Sequence, residues 1–427
     1  MTRRLTLARR TVCAGFAAVL ALAPLPGYAA PRPGTFTLAV IPDTQGYLDF
    51  THQTAAGFPF DAKAQFLEQM RFVAGRAGAG GDIAFATMMG DVWQHPTIPM
   101  DPVHAARGFK RIPNLIIDPD IAPEQVAKVE VPIAREGFGL LDGKLPFSVV
   151  PGNHDYDAQW SDPSRIPDPV YDPKNPVTLG MIHVGGLASW TGVFGDSQPL
   201  FKGRPWYLGG FNGGADSAQV FTAGGYRFLH IGLEYGASDA DLAWAEGVIR
   251  RHPGLPVIVS THDFLDAHGA RLPHPSFDMH AVDPLDNDPQ DVWDKFIRRH
   301  DAIFLVLSGH ESGQARRVDP NAAGHKVWQV MADYQNRGQT AKDAGRPAAI
   351  GDGWLRLMAF DFTGAVPTVR VRTYSTRYQA FSSDLPTYAA WYRPGEQPKM
   401  TDAEFLAAED FTLTLDDFRA RFGKPKR

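Results

Sequence analysis

Residues 36–45 read Phe36-Thr37-Leu38-Ala39-Val40-Ile41-Pro42-Asp43-Thr44-Gln45. A run of apolar and β-branched residues stops abruptly at a proline, a carboxylate and an amide. An apolar run of this length, bounded by turn residues, reads as a strand buried on both faces. The same shape recurs, and four more runs end in residues of the same chemical kind. Ile83 to Met89 ends in Gly90-Asp91, and Phe147 to Val150 in Pro151-Gly152-Asn153-His154-Asp155. Val257 to Ser260 ends in Thr261-His262-Asp263, and Ile303 to Leu307 in Ser308-Gly309-His310-Glu311. Runs at Phe228 to Leu233, Val327 to Met331, Leu355 to Phe362 and Val369 to Tyr374 also fit strands. The Val327 run ends at Asp333, Tyr334, Gln335 and Asn336, to which no role is assigned.

Helical spacing lies between several of these runs. Ala62 to Arg76 lines up Phe66, Met70 and Val73, and Asp239 to Arg251 lines up Leu242, Ala245 and Val248. Pro289 to Arg299 opens with a proline suited to a first turn. Strands alternating with helices predict an α/β protein, with antiparallel pairing added by the clustered later strands. Two stretches, His95 to Leu145 and Asp155 to Gly225, show no such order. They are expected to be irregular insertions around the mouth of a site. The segment 376–427, with Tyr388, Trp391 and Tyr392 and an acidic helix near Asp402 to Glu409, is expected to pack on the main domain.

In α/β sheets, ligands bind in the crevice outside the carboxyl ends of the strands. Five such ends would bring Asp43, Asp91, Asn153, His262 and His310 to one rim. Carboxylate and amide oxygens with imidazole nitrogens suit Mn, Fe, Zn or Mg, and a carboxylate can bridge two ions. Two ions about 3.5–4 Å apart clamp the attacking and leaving oxygens of a phosphoryl displacement and lower the pKa of a bound water. Each residue alone is an ordinary turn residue after a strand. Five in this setting point to a metal centre.

The ordered set Asp43-Thr44-Gln45, Gly90-Asp91, Gly152-Asn153-His154-Asp155, His262 and Gly309-His310 resembles the calcineurin-like metallophosphoesterases, over Thr35 to Ser375. The resemblance implies a four-layer α/β/β/α sandwich with two mixed sheets and loop insertions. It implies hydrolysis of a phosphomonoester or phosphodiester by a metal-activated hydroxide. Asp43 and Gln45 would hold a first ion, Asp91 would bridge, and Asn153, His262 and His310 would complete the second site. His154 would assist the leaving group, with Asp155 orienting it. Two departures stand out. Gln45 replaces a histidine found in many members, and Ser312 replaces the second histidine of Gly-His-x-His. One ion is therefore expected to be held firmly and another weakly. Glu311, His268, His274 and His280 are the candidates to supply a missing ligand. The alternative reading is a catalytically weakened scaffold that binds an anionic or phosphorylated ligand.

The chain has 427 residues, 42 Lys+Arg against 47 Asp+Glu, and a net charge of -5. Glycine (42) and proline (35) are frequent without a repeating period, so the chain reads as globular and rich in loops. Arg3, Arg4, Arg9 and Arg10 precede an apolar run from Val12 to Leu25 and a small-residue exit at Ala29, the pattern of a signal peptide over residues 1–29. Either arginine pair would also suit twin-arginine export. Without those four arginines, 38 basic residues face 47 acidic ones, net -9. That balance disfavours nucleic acid as a partner, and a small-molecule phosphate ester is expected instead. The single cysteine, Cys13, lies in the signal. The exported chain would thus be periplasmic or secreted, free of disulfides and without a stable membrane anchor. The catalytic domain would span 35–375.

Overall fold

The computed structural model describes residues 32–49, 60–172, 174–346 and 350–424. The expected signal peptide, with its arginine pairs and Cys13, lies outside them. β1 (Thr35–Ile41), β2 (Ile83–Met88) and β3 (Phe147–Val149) run parallel side by side. β4 (Ala158–Ser161) and β5 (Ile182–Gly185) form a separate antiparallel pair. Next come β6 (Tyr207–Phe211), β7 (Asp216–Ala223), β8 (Tyr226–Gly232) and β9 (Val257–Ser260). They join β10 (Ile303–Ser308), β11 (Gly313–Pro320) and β12 (Lys326–Asp333) in a sheet ordered β11-β12-β10-β9-β8-β7-β6. β13 (Trp354–Asp361) returns antiparallel to β1, and β14 (Thr368–Ser375), β15 (Ala380–Phe381) and β16 (Phe411–Thr414) extend the first sheet beyond it. The protein is thus mixed α/β, built on two large mixed sheets.

The period of two along each strand explains how the sheets pack. In β1, Phe36, Leu38 and Val40 enter an apolar layer shared with Phe221, Phe228 and Phe304 of the second sheet. Ala39 and Ile41 face the other way, onto Phe66, Met70 and Val73 of the helix Ala62–Gly75. Phe36 stacks on Phe360 at 4.5 Å and Phe85 on Phe221 at 4.6 Å, so aromatic rings fill the space between the sheets. The outer face of the second sheet buries Leu229, Ile231, Val257 and Val259 against the helices Asp239–Arg251 and Pro289–Lys295. Both helices start as their sequences demand. Ser238 and Asp241 form a capping box, and the Asp288 carboxylate accepts from the Asp291 amide ahead of Pro289.

One polar chain crosses the layer between the sheets. Thr87 donates to Ser260 at 3.0 Å, and His230 bridges Ser260 (2.8 Å) and Gln219 (2.9 Å). Burial pushes His230 down to about 3, so it stays neutral and its two nitrogens serve as one donor and one acceptor.

The two insertions are more ordered than their sequences suggest. Residues 131–139 of the first form a helix, Val131–Gly139, whose Ile133, Ala134 and Phe138 join the core. The second contains β4, β5, the helix Ala188–Phe194, the edge strand β6 and its neighbour β7. Gly209 and Gly210 in half-exposed β6, and Ser217 and Gln219 in β7, break the apolar runs that would have marked them. β11 lacks an apolar run for a related reason. It is an edge strand, and Arg316 and Arg317 lie within it, over the Phe411 ring and beside Asp319 respectively. Beyond β15, Tyr388, Tyr392 and Phe405 pack with Tyr334 and Trp354. Buried Arg337 and Arg356 pair with Glu409 there, and Arg337 also pairs with Glu396. Among the described residues no helix is long and apolar enough to cross a membrane.

Candidate metal centre

The parallel strands β1, β2, β3, β9 and β10 share one direction across the two sheets. Asp43, Asp91, Asn153, His262 and His310 follow their carboxyl ends and meet. His262 is the hub. Its Nε2 lies 2.9 Å from Asn153 Oδ1, 3.1 Å from His310 Nδ1 and 3.3 Å from Asp91 Oδ1. Its Nδ1 lies 2.8 Å from the Met89 carbonyl and must donate to it, so Nε2 faces the cluster. Asp91 and His310 both adopt left-handed backbone, φ 53° and 68°, which is uncommon outside glycine and is held here by the surrounding contacts. Close approach also requires glycine. A Cβ on Gly152 would sit 2.3 Å from Asp91 Oδ1, and one on Gly309 2.3 Å from Asp43 Oδ1.

The electrostatics are those of buried acceptors and imidazoles crowded together. Burial opposes ionisation of Asp91, but His262 and His154 hold its carboxyl well below the usual range. Burial likewise opposes charge on His262, yet Asp91, then Asp43, raise it to about 10. Burial, then Asp333 and Asp91, push Asp43 well upward, and burial raises Asp333 to about 7. His310 Nε2 is buried with no hydrogen-bond partner. A proton on His262 satisfies part of this set. A divalent cation would serve Asp91, Asn153, His262 and His310 together, and their mixed oxygen and nitrogen donors fit Mn, Fe or Zn.

The other expected first-site residues are arranged differently. Asp43 accepts the His310 backbone N–H, at 3.2 Å to Oδ2. Gln45 turns its amide nitrogen to Asp91 Oδ2 at 3.1 Å and leaves its own Oε1 buried without a partner. In this rotamer Gln45 acts as a donor to Asp91. The Ser312 hydroxyl is taken by Asn336 at 2.9 Å. Of the replacement candidates, His274 reaches the site, its ring 5.8 Å from that of His310. His268 and His280 turn elsewhere, toward Asp266 and the Asp286 carbonyl. Glu311 is raised to about 7 by burial and by Asp266.

His154 stands at the rim. Its Nδ1 is 2.8 Å from the Gln94 carbonyl and its Nε2 4.0 Å from Asp91 Oδ2. The expectation that Asp155 orients it does not hold. Asp155 accepts from Val92 N (2.8 Å), Trp93 N (3.3 Å) and Gly152 N (2.8 Å), so it ties the loop after β2 to the loop after β3. The Gln94 carbonyl takes the orienting place, and no side-chain pattern signals a backbone group. Asp333 was within reach of sequence reasoning, because it ends β12, which runs parallel to β10. Tyr235 adds a ring 5.8 Å from both His262 and His310. A cavity of about 270 Å³ opens beside His154, lined also by Gln45, Gly46, Asp49, Gln94, Gln335 and Asn336.

Fold and site together define a mixed α/β protein with a histidine, carboxylate and amide cluster at the strand ends. No family model matches the chain. It is 23% identical over 249 residues to "Uncharacterized protein YvnB" of Bacillus subtilis (strain 168), covering 57% of this chain and 15% of that protein. The chain thus spans well under two thirds of that relative's length. A solved structure described as "GAP50 the anchor in the inner membrane complex of Plasmodium" matches with a TM-score of 0.35 and 11% identity. That match covers 81% of this chain and 86% of the other, a likeness too slight to bear on fold or activity.

Proposed function

We propose that the chain is an exported, metal-dependent phosphoric ester hydrolase of the calcineurin-like metallophosphoesterase type. The two sheets, with helices against their outer faces, would be that family's four-layer sandwich. One observation carries the reading. Asp91 Oδ1, Asn153 Oδ1 and His310 Nδ1 all lie within 3.3 Å of His262 Nε2, with the tautomer of His262 set by Met89.

Asp91, Asn153, His262 and His310 would hold one divalent ion, and Asp43 with Asp91 a weaker second. When bound, such an ion polarises a phosphoryl oxygen and makes water a competent nucleophile at neutral pH. The chain's own groups do the rest. The Met89 carbonyl keeps His262 Nε2 directed inward, and Asp155 fixes the relative position of the two loops that carry Asp91 and Asn153. His154, with Nδ1–H donated to Gln94, presents Nε2 to the cavity. As the imidazolium it gives its Nε2 proton to the departing alkoxide oxygen as the P–O bond breaks.

A binding protein without turnover is the second reading, favoured by the Gln45 amide that occupies Asp91 Oδ2. Turnover of bis(p-nitrophenyl) phosphate and p-nitrophenyl phosphate across Mn²⁺, Fe²⁺, Zn²⁺ and Mg²⁺, with elemental analysis of the same sample, separates the two. Hydrolysis that requires metal and disappears in His262→Ala supports the enzyme. Tight metal with no hydrolysis of either ester supports the binder. No metal retained at all would overturn both.

A further inference from the structure

A second convergence of histidine and carboxylate lies away from the strand ends, on three segments distant in sequence. His104 belongs to the short helix Pro102–Ala106, His183 to β5, and Asp283 follows the helix Met279–Val282. One ligand atom from each lies within 4.8 Å of the others. Asp101 accepts the backbone N–H groups of Val103 and His104 on Oδ1, and its Oδ2 is 2.8 Å from His104 Nδ1. The His104 Nδ1–H is thereby committed, and Nε2 points at Asp283 Oδ2, 3.4 Å away. A carboxylate behind a histidine, fixing its tautomer and raising its basicity, is the usual support of a metal-binding imidazole. The backbone leaves room for this pair, since a Cβ on Gly185 would fall 2.0 Å from Asp101 Oδ2.

Asp283 is only partly used. A carboxylate has about four lone-pair sites. Arg107 takes one on each oxygen, at 2.7 and 2.5 Å, and Leu285 N takes a second on Oδ1 at 3.0 Å. The remaining site on Oδ2 is the side nearest His104.

His183 decides the matter. It is wholly buried, its ring 4.4 Å from both His104 and Trp160 and stacked on Phe109, yet neither ring nitrogen has a hydrogen-bond partner. Burial and His104 keep it neutral, pushed down to about 3. Buried polar groups are nearly always satisfied. Protonating His104 would satisfy His104 and Asp283 but would leave His183 orphaned. A cation at the centre would take the lone pair of His183 as well as those of His104 and Asp283.

We infer that His104, His183 and Asp283 form a binding site for a divalent transition ion of the zinc class, separate from the cluster at the strand ends. Zinc takes histidine nitrogen at about 2.0–2.1 Å and carboxylate oxygen at about 2.0–2.2 Å, and with three protein ligands a fourth position would be left to water, on the partly exposed side of His104. The ion pins both insertions to the loop after β9. That loop also carries His274 and Phe277, whose rings lie 5.8 and 5.7 Å from that of His310. A clip joining long loops is where such a bond stabilises most.

The full chain is dialysed against Zn²⁺, desalted and analysed for zinc, and its Tm is measured with and without Zn²⁺. His183→Phe, which keeps an aromatic ring in an aromatic pocket, should lose one equivalent of zinc and most of the zinc-dependent rise in Tm. His310→Ala, at the strand-end cluster, should leave that rise largely intact, and its own zinc loss should add to that of His183→Phe. Unchanged zinc content and Tm response in His183→Phe would overturn the site, whatever the outcome for the hydrolase reading. Should His183→Phe fail to fold, crystals of the unaltered chain grown with Zn²⁺ decide directly. An anomalous peak at the zinc edge within bonding distance of His183 supports the site, and its absence there overturns it.

Discussion

His262 Nδ1 lies 2.8 Å from the carbonyl oxygen of Met89, 173 positions earlier in the chain. A side chain at the end of a second-sheet strand is thereby oriented by the backbone of a first-sheet strand. The sheet interface itself thus sets which nitrogen of His262 faces Asp91 and Asn153.

Metal binding should therefore compete with a proton. Asp91 and Asp43 outweigh burial and hold His262 protonated up to about pH 10 in the metal-free chain. At pH 7 that proton must leave when an ion binds, so affinity should rise with pH, by up to about tenfold per unit between pH 6 and 8. Calorimetric titration with Mn²⁺ in buffers of different ionisation enthalpy measures the protons released. Affinity flat across that range would contradict the assignment of His262 as a ligand.

Asp91→Asn and His154→Ala should fail differently. Both are expected to lower kcat/KM on an activated diester by about 100-fold or more. Asp91→Asn should also lose bound metal, because it removes the charge beside His262. His154→Ala should keep it, since the His154 ring is held by the Gln94 carbonyl through Nδ1 and stands 4.0 Å from Asp91, while the backbone N–H that donates to Asp91 Oδ1 at 2.9 Å survives the substitution. Elemental analysis of each variant alongside its kinetics checks the split.

Arg337→Met should destabilise the chain by about 3–5 kcal/mol, because it leaves the buried carboxylate of Glu409 with Arg356 alone and the half-buried one of Glu396 without its partner. Adding Glu396→Gln and Glu409→Gln should restore part of the loss. Urea denaturation at pH 7 gives both differences.

Acid should weaken the fold through His230. Its folded value of about 3 lies below the ordinary imidazole value near 6.5, so between these limits the unfolded chain binds the extra proton. Stability is then unaffected above pH 6.5 and falls as pH drops toward 3, by up to about 1.4 kcal/mol per unit from this group. His230→Gln keeps a neutral donor and acceptor and should flatten that limb of the stability curve, read from urea midpoints at successive pH values. An unchanged limb would remove His230 as its source.

Much of this architecture is legible in the sequence. The runs that became β1, β2, β9 and β10 are central strands, apolar on both faces, and the polar residues that end them mark where each strand stops. Such patterns are local, so they name Asp43, Asp91, Asn153, His262 and His310 without any knowledge of contacts. The edge strands β6 and β11 bury less and carry glycine or arginine, and the interior strand β7 carries serine and glutamine, so they leave no comparable trace.

Contacts between remote segments belong to the tertiary structure alone. Nothing in the spacing says that Asp155 holds three backbone amides instead of His154, that Gln45 donates to Asp91, or that Asp283 approaches His104. A hydrogen bond needs its partners within about 3 Å, and that closeness depends on strand register, sheet packing and loop paths summed over the whole chain. The sequence determines which chemistry the strand ends carry, and the packing of the two sheets decides which atoms face one another.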